Sequence, residues 1–177
     1  MRIALATVVS AIVMFFLGFL WWGLTMPSVT PAGVFSDESL VASMKQTLGE
    51  SGVYFYPSYS EPIPDGEPVA IVYYLANAPE MGGTMGMGFA HMLVASLLAC
   101  LVVSWLRLPT FADRFKLLAG LGLLIAFWAD IGNMIWWHHP LGWALFHFGY
   151  DASSWAVAGA AIAAILKSPP TVAPASN

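Results

Sequence analysis

Charge is scarce in this chain. Six Lys and Arg and ten Asp and Glu make up 9% of its 177 residues, where a soluble domain carries about 25%. With 59% hydrophobic residues, this excludes an ordinary water-soluble domain and points to a bilayer. The net charge of −4 leaves no basic patch, so no nucleic-acid partner is expected. Cysteine is nearly absent. The one thiol, Cys100, lies inside an apolar run, which rules out an intrachain disulfide and argues against a zinc–thiolate site. Catalytic signatures are missing as well: there is no P-loop, no G-x-G-x-x-G, no H-E-x-x-H and no nucleophile–base pair. The glycine-rich GGTMGMG at 82–88 has no Lys and leads into an apolar run, unlike a phosphate cradle. The expectation therefore leans away from an enzyme.

What the chain does have is long apolar segments. Crossing about 30 Å of hydrocarbon takes roughly 20 helical residues. Four segments meet that length: Ile3–Leu24, Met85–Leu106, Leu117–Trp137 and Leu141–Leu166. The first is expected to stay as an anchor rather than leave as a signal peptide. Its charged lead is only Met1-Arg2, its apolar stretch is long, and no A-x-A site follows it. Arg2, Arg107, Arg114, Lys116 and Lys167 fall on one side of such spans, and only Lys45 on the other. Cytoplasmic loops retain cations. Both termini are then cytoplasmic, in what reads as a bacterial inner membrane.

The predicted fold is an all-α membrane protein, a four-helix transmembrane bundle with a small periplasmic α/β cap between helices one and two. The first span lies within 1–24, the cap over 25–84, and the later spans at 85–106, 117–137 and 141–166. A cytoplasmic loop takes 107–116, a periplasmic turn 138–140, and a Pro- and Ser-rich disordered tail 167–177. In the cap, Ser36 is expected to cap a short helix over SDESLVASMKQTLG, with Asp37 and Glu38 in its first turn. Two β-like runs follow, 52–57 and 68–75, with Ser58–Glu67 between them to close a hairpin.

Polar residues gather toward the outer side. Asp130, Asn133, Met134 and Trp137 share one helical face, and His147, Asp151 and Ser154 share another. The short turn makes those spans antiparallel neighbours, so the two faces can meet. An aspartate in hydrocarbon costs roughly 2.5–3.5 kcal/mol unless paired or hydrated, which turns both acids inward. Several readings stay open. The cluster is a network that fixes helix register, or a proton relay. It binds copper or haem through His91 and His147 with Met85, Met87 and Met92 nearby. Or it lines a pocket for a lipid, quinone or pigment. Trp21, Trp22, Trp136, Trp137 and Trp143 read as an interfacial belt, with His138 and His139 facing water or headgroups.

Small residues also recur with helical spacing. Ala152, Ala156, Ala160 and Ala164 form one stripe on the last span, and Gly159 and Ala163 another. Such stripes let backbones approach closely. One could serve the bundle and the other a contact with another membrane chain or a second copy.

Gly18-Phe19-Leu20-Trp21-Trp22, the insert motif S-G-V-Y-x-x-P at Ser51–Pro57, and Asn133, Trp136, Trp137, Pro140, Trp143 and Asp151 in an N-x-x-W-W-x-x-P-x-x-W…D pattern resemble a group of four-span bacterial inner-membrane proteins with a periplasmic insert. That resemblance implies the topology and carries no activity. The function expected is a non-enzymatic accessory or assembly subunit of a larger respiratory or photosynthetic membrane complex. The alternative is a membrane protein that binds a metal, haem or pigment.

Overall fold

A computed structural model describes residues 1–25, 37–58, 62–63 and 65–166. The chain divides into two compact units, one of Met1–Ala32 with Gly86–Asn177 and one of Gly33–Met85. Among the described residues, three helical stretches are long and apolar enough to cross a membrane: Arg2–Leu24, Met81–Leu106 and Phe111–Trp136.

In the larger unit, α1 (Arg2–Leu20) continues into a π-helical turn, Trp21–Thr25. α3 (Met81–Leu106) begins in the other unit. It is followed by α4 (Phe111–Ala126), a second π-turn (Phe127–Ile131), the short α5 (Gly132–Trp136) and α6 (Leu141–Ile165). The fourth expected span is thus a helix of 25 residues. It is less apolar than the other three because His147, Tyr150, Asp151, Ser153 and Ser154 dilute it.

α6 is the central helix, packed against α4 on one side and α1 on the other. Small residues make both approaches possible. A Cβ at Gly18 of α1 would sit 3.0 Å from the Tyr150 hydroxyl, and one at Gly159 would sit 3.0 Å from the Leu118 Cβ. No residue from 146 to 163 is exposed. Of the two small-residue stripes, Gly159 and Ala163 are buried, Ala152, Ala156 and Ala160 are half-buried, and Ala164 is exposed. α3 joins through one strip, Ser96, Ala99, Cys100 and Val103, at helical spacing. Its inner side meets Ala6, Leu118, Ile162 and Leu166, while Val94, Leu98, Leu101 and Trp105 are exposed. Hydroxyls on the buried face of α1 are satisfied locally where they can be: Ser10 donates back to Ala6 O at 2.6 Å.

Two boundaries differ from the sequence reading. α4 starts at Phe111, so most of the expected 107–116 loop is helix. Thr110 is the cause: its hydroxyl accepts the Asp113 N–H at 3.1 Å and donates to the Asp113 carboxylate at 2.7 Å. α3 starts at Met81 rather than Met85. The Glu80 carboxylate accepts the N–H groups of Gly82 (3.0 Å) and Gly83 (2.6 Å), satisfying donors that a helix start leaves free.

The smaller unit holds α2 (Glu38–Leu48) and an antiparallel pair, β1 (Gly52–Tyr56) and β2 (Ala70–Tyr74), in the register Gly52↔Tyr74 to Tyr56↔Ala70. Both expected runs are strands. The helix cap is Asp37, not Ser36, which lies outside the described residues. Asp37 accepts the N–H of Ser39 at 2.8 Å and of Leu40 at 3.4 Å, and the Ser39 hydroxyl at 2.7 Å. Those bonds hold its carboxyl below the usual carboxylate range, the Ser39 side chain contributing most. The Tyr54 hydroxyl donates to Leu48 O and Glu50 O, tying β1 to the end of α2. Among the described residues from 37 to 85, none is buried.

Candidate functional site

The buried face of α4 steps by four residues: Arg114, Leu118, Gly122, Ala126, Asp130. At 3.6 residues per turn each such step overshoots by about 40°. The wider π-turn at Phe127–Ile131 takes back part of that drift and holds Asp130 on the inner face, 6% exposed. Turns of this kind recur at functional sites. The sequence carries no clear signal for it.

After α5 the chain reverses. Asn133 O accepts the N–H of Trp137 at 3.0 Å and of His139 at 3.4 Å. Between them His138 takes a left-handed φ of 53°, the geometry of a helix C-terminal cap usually built on Gly. His138 and Pro140 are exposed, whereas His139 folds back and is half-buried. Only one of the two turn histidines therefore meets the expectation of facing out.

The result is a cavity of about 150 Å³ lined by Asp130, Asn133, His139, Trp143, Ala144 and His147. Its walls come from the π-turn, α5, the reversal and the first two turns of α6. Two lining side chains carry buried polar atoms without a hydrogen-bond partner, Asp130 Oδ2 and His147 Nε2. Asp151, half-buried one turn further along α6, is close enough for its charge to act on both. Ser154 is buried on the same helix at 3% exposure.

Aromatic rings close the site on the α1 side. The His147 ring lies 4.6 Å from Trp143 and 5.3 Å from Trp22, both nearly edge to face. Trp22 also meets Phe146 at 4.9 Å, and Trp21 meets Phe146 at 5.9 Å and Tyr150 at 6.4 Å. A Cβ at Gly149 would sit 3.0 Å from the Trp21 ring. Three of the five belt tryptophans are therefore packed between helices around His147, while Trp136 and Trp137 are 78% and 46% exposed. The belt reading missed this, because an indole at a helix end looks alike in sequence whether it faces inward or out.

The other sequence candidates lie apart from the cavity lining. His91, Met85 and Met87 are exposed on α3, and Met92 is half-buried. Among the described residues no three His, Cys, Asp or Glu side chains are grouped closely enough to hold a metal ion. No family model matches this chain, and no curated protein or solved structure matches it.

Proposed function

We propose that this chain is a multi-pass protein of a bacterial inner membrane and serves, without catalysis, as an accessory or assembly subunit of a larger membrane complex, respiratory or photosynthetic. The observation that carries the docking part is the smaller unit. It has an ordered helix and hairpin yet no buried residue among those described from 37 to 85. A two-stranded hairpin is marginal in water by itself. Leu40, Val41, Val53, Phe55, Tyr56 and Tyr73 are exposed large apolar or aromatic side chains there, the kind a partner surface covers.

The membrane part is supported by the three apolar helices and by the central place of α6. A helix shielded by α1 and α4 needs less apolar surface to cross a bilayer, so His147 and Asp151 on α6 are compatible with a fourth span. Four spans put both termini on the cation-rich, cytoplasmic side and residues 25–84 in the periplasm. Partners are then other integral membrane chains, a second copy or lipid, met through the smaller unit and the exposed face of α3.

Two experiments test this reading. Reporter fusions at Gly66 and Asn177 should report opposite compartments, and a same-side result sinks the four-span topology. A photo-crosslinking residue at Phe55 or Tyr73 should capture a membrane protein in whole cells. Capture of none, together with a monomer in mild detergent, refutes the subunit role.

A further inference from the structure

We propose that the cavity between the π-turn and the start of α6 binds a primary ammonium group. The inference concerns a ligand and stands apart from the docking role of the smaller unit.

Charge is the first argument. Asp130 lines the cavity and is 94% buried with Oδ2 unpaired. No Lys or Arg of the described larger unit lies at that end. Arg114 is 16 residues before Asp130 and Lys116 is 14, about 20 Å or more away along a helix. Arg114 is engaged at the opposite end, donating to Leu108 O and Ala163 O. Arg2 opens α1, whose other end carries Trp22 against His147. A buried carboxylate keeps its charge only beside a cation; among the described residues of this unit no Lys or Arg stands there, and the lining histidines His139 and His147 are the groups able to take up a proton.

The second argument is the set of groups in the walls. The Asp130 carboxylate, the Asn133 amide and the His147 imidazole each carry an acceptor atom in the cavity walls. The broad χ2 of Asp lets either oxygen turn toward the cavity. The Trp143 indole also lines the cavity, and indole rings attract cations. Three acceptors around an indole match the three N–H donors of R–NH3+. A quaternary ammonium has the charge but no N–H to give to these acceptors.

Size is the third. A cavity of about 150 Å³ is several times the roughly 30 Å³ that a water takes in the liquid. It admits an aminoethyl group rather than a bare ion. Two sources carry that chemistry: the ethanolamine headgroup of a phospholipid, or a free small amine. The exposed Trp136 and Trp137, in the chain between the lining residues Asn133 and His139, suit a membrane interface.

The test uses the full chain in detergent, with bound lipid counted by native mass spectrometry and free amine measured by calorimetry. Phosphatidylethanolamine should be retained at least ten-fold better than phosphatidylcholine or phosphatidylglycerol, and Asp130→Asn should abolish the preference while Asp113→Asn keeps it. Ethylammonium chloride separates the sources. A lipid preference that millimolar ethylammonium does not erase identifies the headgroup. Saturable ethylammonium binding without a lipid preference identifies a free amine. Equal retention of all three lipids with no ethylammonium binding means that the cavity holds solvent only, and overturns the proposal. So does an Asp130→Asn protein that binds as the native chain does. If that variant does not assemble, the comparison of headgroups on the native chain decides alone.

Discussion

Gly122 of α4 faces the first side-chain carbon of Trp155 on α6, and a Cβ at position 122 would overlap it and come within 2.6 Å of Trp155 Cγ. The Trp155 Cβ is held by its own helix and cannot swing aside. The close α4–α6 approach therefore depends on a missing methyl group.

Gly122→Ala should force the two helices apart and cost about 1–3 kcal/mol or more, the usual penalty of overpacking. Gly120, two residues away, faces open space. Gly120→Ala should be neutral or stabilising by up to about 1 kcal/mol, since Ala is the better helix former. Thermal unfolding of both variants in one detergent checks this. Equal midpoints would show that the close approach does not exist in solution.

Arg114 ties the start of α4 to the end of α6. It is 5% exposed, its Nε donates to Ala163 O at 3.2 Å, and its Nη1 donates to Leu108 O at 2.8 Å. Ala163 O belongs to the last turn of α6, where carbonyls lack helical partners and a cation is favoured. Arg114→Leu should cost about 1.5–3 kcal/mol, the range for hydrogen bonds to a charged group. Arg114→Lys should restore only part of that, because an ammonium lacks the planar fork. Stability measured by denaturation in mixed micelles would contradict the assignment if Lys and Arg proved equivalent.

Asp37 makes α2 sensitive to acid. Its carboxyl is held below the ordinary 3.8 by the Ser39 hydroxyl first, then by the N–H groups of Ser39 and Leu40. A depressed folded value means the carboxylate form is bound more tightly in the folded state. Its contribution is fully present above the unfolded pKa and is lost as pH falls through the lower folded value. Protection of the Ser39 and Leu40 amides against exchange, corrected for intrinsic rates, should hold from pH 7 to about 5 and weaken below about 4. In Asp37→Ala it should be weak throughout with no acid step. An unchanged acid step in that variant would assign it to another group.

Some local structure was written plainly in the sequence. The two strands follow from β-branched and aromatic runs separated by Pro and Gly, and Val53↔Tyr73, Tyr54↔Val72 and Phe55↔Ile71 pair as such runs do. Other local features were legible and misread. T-x-x-D at Thr110–Asp113 is a helix-start signature, yet its cations read as a loop. Ser36 and Asp37 are both good caps, and neighbouring caps differ too little in energy for sequence to choose between them. His139 fell on the wrong side because the left-handed His138 turns the chain back on Asn133. Few residues advertise that conformation unless they are Gly or Asn.

Composition and periodicity by themselves determined that this chain is apolar and largely helical; they marked four stretches as membrane spans, and among the described residues three helices are apolar enough to cross. Those properties are sums over many residues and tolerate local error. Which helix sits at the centre was decided only by tertiary packing. α6 takes that place because Gly18, Gly122 and Gly159 let α1 and α4 come close, and a close approach depends on pairs of surfaces rather than on either one alone. The cavity has the same origin. Asp130, His139 and His147 come from three separate turns of chain, and they meet because a π-turn holds one inward, a reversal folds the second back and the indoles of Trp22 and Trp143 flank the third.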